Sequence, residues 1–169
     1  MTTTTVPTVS KPGSRHAARA KAGTAYFMVD SVPISRADPE QRIEILRLGF
    51  PADIVTELAS SMRWSRDHAL EVFRVKRSTA MRKIKTKARL ATDESERILS
   101  VIDLIEQVQC MVERSGDPSG FDAAAWLAQW LERANPALAG KCPADYLDTN
   151  EGIGIVRRLL AQMESGAYA

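Results

Sequence analysis

Ten basic side chains crowd between Ser61 and Ala91 (Arg63, Arg66, Arg74, Lys76, Arg77, Arg82, Lys83, Lys85, Lys87 and Arg89) against only Asp67 and Glu71, a net charge of +8. From Arg74 to Arg89 eight bases occur without one acid. Cations at this density neutralise phosphates and release the counterions held around a nucleic-acid backbone, which is the main source of sequence-independent affinity for DNA. The order of residue types adds to this, because Arg77, Ser78 and Thr79 precede Arg82, Lys83, Lys85 and Lys87. Hydroxyl and guanidinium groups at the start of a helix reach base edges, and the later cations follow the phosphate track. A basic helix is often only a solvated face, but an acid-free run of this length favours binding.

The rest of the chain has the opposite sign. From Thr92 onward thirteen acids face six bases, a net charge of −7, so this half is repelled by phosphate and suits a protein partner. Residues for covalent, metal or cofactor chemistry are missing. The histidines are His16 and His68, and Cys110 and Cys142 stand far apart with no metal-ligand spacing, so no catalytic residue, metal or cofactor is expected. Gly152-Ile153-Gly154 lacks the preceding strand and the third glycine of a dinucleotide-binding turn. Acidic neighbours such as Asp93 and Glu94 read as helix caps, and Trp126 with Trp130 reads as core rather than as a ligand cage.

These groups must be positioned by helices, because no segment alternates β-branched and polar residues. The expected fold is all-α: a helix-turn-helix-like N-terminal region followed by a small helical domain. Residues 1–38, rich in Thr, Pro, Ala and bases, read as a flexible basic arm, either a solubilising tail or a DNA-groove tracker, with Ala25 to Val29 able to order locally. Residues 39–91 form the second unit. Ile43, Leu46 and Leu48 give a first helix stopped by Gly49. Pro51 opens the next, with Ile54, Val55, Leu58 and Met62 recurring to about Arg63. Ser65 caps a third helix bearing Ala69, Leu70, Val72 and Phe73. After a turn at 74–76, a fourth carries Ala80, Met81 and Ile84 inward with the cations outside.

Residues 92–169 form the third unit. Asp93 with Glu96 predicts a capped start for a long helix from Glu94 to Arg114, apolar on several faces. Phe121 and Trp126 flank Asp122 in the spacing of a hydrophobic staple, opening a helix that buries Trp126, Leu127, Trp130 and Leu131. Asn135-Pro136 ends it, and Pro143 begins a short turn. Thr149 or Asn150 caps a last helix with Ile155, Val156, Leu159, Leu160 and Met163 inward and Gly166 at its end. No membrane span or secretory leader is expected, so the reading is cytoplasmic, and paired recognition helices imply a homodimer.

The carboxyl half carries an ordered set of motifs: Leu90 with Glu94-Ser95-Glu96-Arg97, Ala125-Trp126-Leu127, Asn135-Pro136-Ala137-Leu138-Ala139-Gly140, Pro143 with Asp145 and Leu147, and Gly152 with Val156, Leu160, Glu164 and Gly166. This order resembles the Xre/MbcA/ParS-like antitoxin family over about residues 40–169, most strongly from Leu90 onward. The resemblance implies a toxin-binding C-terminal domain whose partner is a RES-domain toxin that attacks NAD by hydrolysis, phosphorolysis or ADP-ribosyl transfer. It also implies occlusion of the toxin's cleft and repression of the chain's own operon through operator DNA. On that resemblance Arg157, Arg158, Met163, Glu164 and Tyr168 are the expected toxin contacts, with Trp126 and Leu160 holding the domain together. Two positions depart from the family pattern: Ala139 where glycine is common and Cys142 where threonine is common. A stand-alone helix-turn-helix repressor, with the acidic half used only for dimerisation, is the competing reading.

Overall fold

The computed structural model describes residues 27–30, 32–34 and 37–165. Within them lie seven α-helices: α1 Pro39–Leu48, α2 Ile54–Ser61, α3 Arg66–Val72, α4 Arg77–Lys85, α5 Thr92–Ser115, α6 Ala123–Leu131 and α7 Asn150–Glu164. Two short 3-10 turns, Pro136–Leu138 and Pro143–Tyr146, join α6 to α7. The all-α expectation holds, with one small addition. Strands β1 (Met28–Val29) and β2 (Val32–Pro33) pair as an antiparallel hairpin.

That hairpin lies in the segment read as a flexible arm. Phe27, Val29 and Ile34 are buried in the core, so the packed chain reaches back well before Pro39. Apolar area removed from water, at roughly 25 cal/mol per Å², is reason enough for the hairpin to stay docked. The remainder of the arm, residues 1–26, lies outside the described residues.

Helix α1 starts with a complete capping box, Asp38 Oδ1 accepting from Gln41 N at 2.9 Å and Gln41 Oε1 accepting from Asp38 N at 3.3 Å. Its buried residue is Ile45, whereas Ile43 and Leu48 are exposed, contrary to the simple apolar count. The facing helix explains the rotation: Arg42 makes a two-pronged ion pair with Asp103 of α5 at 2.6 and 2.8 Å. Pro51 does not open α2. It sits in an isolated bridge to Arg89, where Ala52 N donates to Ala88 O and Leu90 N donates to Phe50 O. Gly49, at φ +80°, makes this approach possible, since a Cβ there would strike the Leu90 carbonyl.

Helix α5 begins two residues earlier than expected, after Ala91. Glu94 rather than Glu96 reaches back, its Oε2 accepting from Ala91 N at 2.8 Å. Ile98, Val101, Ile102, Leu104, Ile105 and Val108 make this helix the centre of the molecule, with α1, α6 and α7 packed on it. A single hydrophobic core runs from Phe27 to Leu160 through both charged halves. Among the described residues no helix is long and apolar enough to cross a membrane.

Candidate functional site

The basic surface is built on α3, α4 and the turn between them. Ser65 caps α3, its Oγ accepting from His68 N at 3.1 Å. Arg74 takes φ 53°, and Val75 N returns to Leu70 O, closing the turn. Helix α4 buries Ala80 and half-buries Met81 and Ile84, as the apolar spacing requires. Ser78, Arg82 and Lys85, spaced four and three residues apart, are exposed on one stripe, and Lys87 follows just beyond the helix. Arg77 is exposed and pairs with Asp67 at 2.9 Å, and Thr79 is half-buried.

Lys83 departs from the expected phosphate track. Its ammonium meets Glu94 at 2.7 Å, with the two side chains only 15% and 12% exposed, so it locks α4 to α5 instead of facing solvent. Arg89 is similarly committed, to Asp30 at 2.7 Å and to the Gly49 carbonyl. Arg66, Arg74 and Lys76 are exposed beside the stripe and extend the basic surface across the turn. Their place in the acid-free stretch and just before it was the available signal.

The second surface is the α6-to-α7 unit. Asp122 caps α6, accepting from Ala125 N at 3.0 Å, and Phe121 lies 6.3 Å from Trp126 between ring centroids, the expected staple. The helix turns its alanines, Leu127 and Leu131 inward. Trp126 and Trp130, expected in the core, are half-buried at its edge: they pack against it and lie nearly parallel to each other. Alanines 123, 124, 125 and 128 are buried on the inward side.

Asn135 is buried and organises the following loop, its Oδ1 accepting from Ala137 N at 2.9 Å and its carbonyl from Gly140 N at 3.0 Å. Ala139 occupies the left-handed region (φ 54°, ψ 36°), so the loop keeps a glycine-type conformation with a side chain present. Cys142 caps the second 3-10 turn without a hydroxyl; its thiol donates instead to the Glu132 carbonyl at 3.3 Å. Thr149 caps α7, accepting from Gly152 N at 3.1 Å. Gly152 lets the first turn of α7 rest on the backbone of Tyr146, where a Cβ would collide with the carbonyl.

Helix α7 buries Ile153, Val156, Leu159 and Leu160, leaving Ile155 half-buried. Arg157 and Arg158 are exposed, each 3.7 Å from an acid, Asp103 and Glu151 respectively. Met163 is half-buried against the core, and Glu164 accepts from Arg114 at 2.8 Å. Tyr168 lies outside the described residues. Of the five expected contacts, α7 therefore presents Arg157 and Arg158 most openly.

The two surfaces are cross-braced. Arg63 reaches Asp122 at 3.0 Å, and His68 Nε2 lies 2.6 Å from Glu132 Oε1 while packing edge-on against Trp64.

Residues 120–166 match the model of the family described as antitoxin Xre/MbcA/ParS C-terminal toxin-binding domain. A curated relative, "Prs ADP-ribosylating antitoxin" from Sphingobium sp. (strain YBL2), is 38% identical over 134 residues, covering 79% of this chain and 84% of its own length. The chain belongs to the Xre/MbcA/ParS-like antitoxin family. As a member of that family it is an antitoxin of a toxin-antitoxin system, and the matched segment coincides with α6, the two 3-10 turns and α7. In this antitoxin the two departures from the family pattern both lie in the α6-to-α7 connection, Ala139 with a left-handed backbone and Cys142 with its thiol on the Glu132 carbonyl.

Proposed function

We propose that the chain neutralises a RES-domain, NAD-consuming toxin by placing α7 and the residues after it over the toxin's active-site cleft. We also propose that, as a homodimer within a toxin-antitoxin hetero-oligomer in the cytoplasm, it binds operator DNA through α4 and represses its own operon. The observation that carries the toxin reading is the openness of Arg157 and Arg158 on a helix inside the segment matching a toxin-binding domain. The −7 charge of the carboxyl half suits a protein partner rather than a phosphate backbone. The two guanidinium groups supply bidentate donors for carboxylates on the toxin's surface. The name of the Sphingobium relative favours ADP-ribosyl transfer over NAD hydrolysis as the toxin's reaction.

The DNA reading is supported by the exposed stripe Ser78, Arg82 and Lys85, with Arg77, Thr79 and Lys87 at its ends, on the second helix of a helix-turn-helix. Lys83 is left out of that interface. Residues 39–91 and 92–169 are then two working faces on one core, DNA-facing and toxin-facing.

Co-expression with the toxin encoded beside this gene tests the reading: cells survive with the wild-type chain and die with Arg157→Glu combined with Arg158→Glu. Deleting residues 150–169 is a poorer test, because it takes Val156, Leu159 and Leu160 out of the core. Death of cells carrying wild-type antitoxin refutes the neutralisation reading.

A further inference from the structure

Helix α6 buries one face fully and carries a second, aromatic face that the fold covers only in part. Ala124, Leu127, Ala128 and Leu131 occupy the buried side. On the other side Trp126, Gln129 and Trp130 recur at i, i+3 and i+4, and Arg133, two residues past the end of the helix, lines the same groove. The two indoles are nearly parallel, 8° apart with centroids separated by 6.3 Å, and both are only half-buried. The four side chains line a shallow, open groove of about 50 Å³. Sites for small molecules span roughly 300–1,000 Å³, so a groove of this size takes the tip of one side chain rather than a free metabolite. Tryptophan and arginine are also the residue types that most often dominate binding at protein interfaces.

We infer that this indole stripe is an anchoring contact for the toxin, separate from α7, and that it receives an apolar or aromatic toxin side chain next to a toxin carboxylate that pairs with Arg133. The inference rests on the antitoxin reading given above. The stripe is continuous with the segment that matches a toxin-binding domain, residues 120–166. Charge argues against a second copy of this chain as the occupant. The acids of the α6 segment, Asp122 and Glu132, are already engaged by Arg63 and His68, so a second copy brings Arg133 no uncommitted carboxylate from this surface. Among the described residues the large exposed hydrophobics, Met28, Ile43 and Leu48, all lie in the amino-terminal half, on elements other than α6.

The test uses the full-length chain labelled with 5-fluorotryptophan, which gives three fluorine resonances, for Trp64, Trp126 and Trp130, assigned by single Trp→Phe variants. Adding unlabelled toxin from the neighbouring gene is expected to shift the Trp126 and Trp130 resonances and remove their sensitivity to D₂O, leaving Trp64 in place between His68 and Phe73. Trp130→Ala is expected to weaken toxin binding about 30-fold, and Trp130→Phe to retain most of the affinity. Toxin binding with the Trp126 and Trp130 resonances unmoved, or Trp130→Ala binding as tightly as wild type, overturns the proposal while leaving the α7 reading intact. Resonances that move with antitoxin concentration alone assign the stripe to self-association and overturn it as well. Absence of any wild-type complex removes the antitoxin reading along with it.

Discussion

Lys83 and Glu94 form an ion pair at 2.7 Å, and Glu94 uses the same oxygen, Oε2, to accept the Ala91 amide at the start of α5. One carboxylate thereby caps the central helix and holds the basic helix against it. Removing the ammonium leaves a largely desolvated carboxylate with one fewer partner, so Lys83→Ala is expected to cost about 1–2 kcal/mol of stability. Arg82→Ala, on the exposed stripe, should leave stability within about 0.5 kcal/mol and lower the salt dependence of DNA binding by about one phosphate contact. Urea denaturation and salt-titrated DNA binding on the two variants separate these roles; a stable Lys83→Ala protein with the same DNA defect as Arg82→Ala would contradict them.

Gly152 and Gly154 sit two residues apart on α7 and should respond oppositely to alanine. A Cβ at Gly152 meets the Tyr146 carbonyl, whereas at Gly154 its nearest neighbour is Arg158 Nη1 at 3.8 Å, an ordinary contact. Gly152→Ala is expected to destabilise by roughly 1–3 kcal/mol through overpacking at the α7 junction. Gly154→Ala removes backbone entropy from an open helical site and is expected to stabilise by up to about 1 kcal/mol. Thermal melts of both variants check the pair.

Much of this layout is legible in the sequence because it rests on local chemistry. Ser65, Asp122 and Thr149 cap their helices as their types and positions require, Gly49 stops α1, and the Phe121–Trp126 staple forms. What was not legible depends on partners distant in the chain. Ile45 points inward in place of Ile43 and Leu48 because Arg42 is tied to Asp103. Trp126 and Trp130 stop at the edge of the core instead of entering it, and Lys83 leaves the exposed basic stripe because Glu94 lies within reach. The charge count from Arg74 to Arg89 could not distinguish a solvated cation from a structural one.

At Ala139 the backbone is left-handed, which costs an L-residue roughly 1 kcal/mol relative to glycine. Ala139→Gly should therefore raise the unfolding free energy, offset in part by the greater freedom of glycine in the unfolded chain. A higher urea midpoint at unchanged m-value is the expected result.

Glu106 is half-buried, and its carboxyl is raised above the ordinary glutamate range first by desolvation and then by Asp103, with Arg42 opposing. A raised acid binds its proton more tightly folded than unfolded, so its charge lowers stability at neutral pH and the loss is relieved as pH falls through the folded value. Glu106→Gln is expected to stabilise slightly at pH 7, by no more than about 0.5 kcal/mol given solvent screening. The difference from wild type should shrink as the pH is lowered into the carboxylate range, measured by urea titrations at a series of pH values.

In the proposed function the α6-to-α7 unit silences a NAD-consuming toxin. The most direct measurement is NAD turnover by the purified neighbouring toxin during titration with this antitoxin, in parallel with the Arg157→Glu, Arg158→Glu double variant. Turnover is expected to fall to background near stoichiometric wild-type antitoxin and to persist with the folded double variant. Turnover that continues undiminished in saturating wild-type antitoxin would contradict the proposed function.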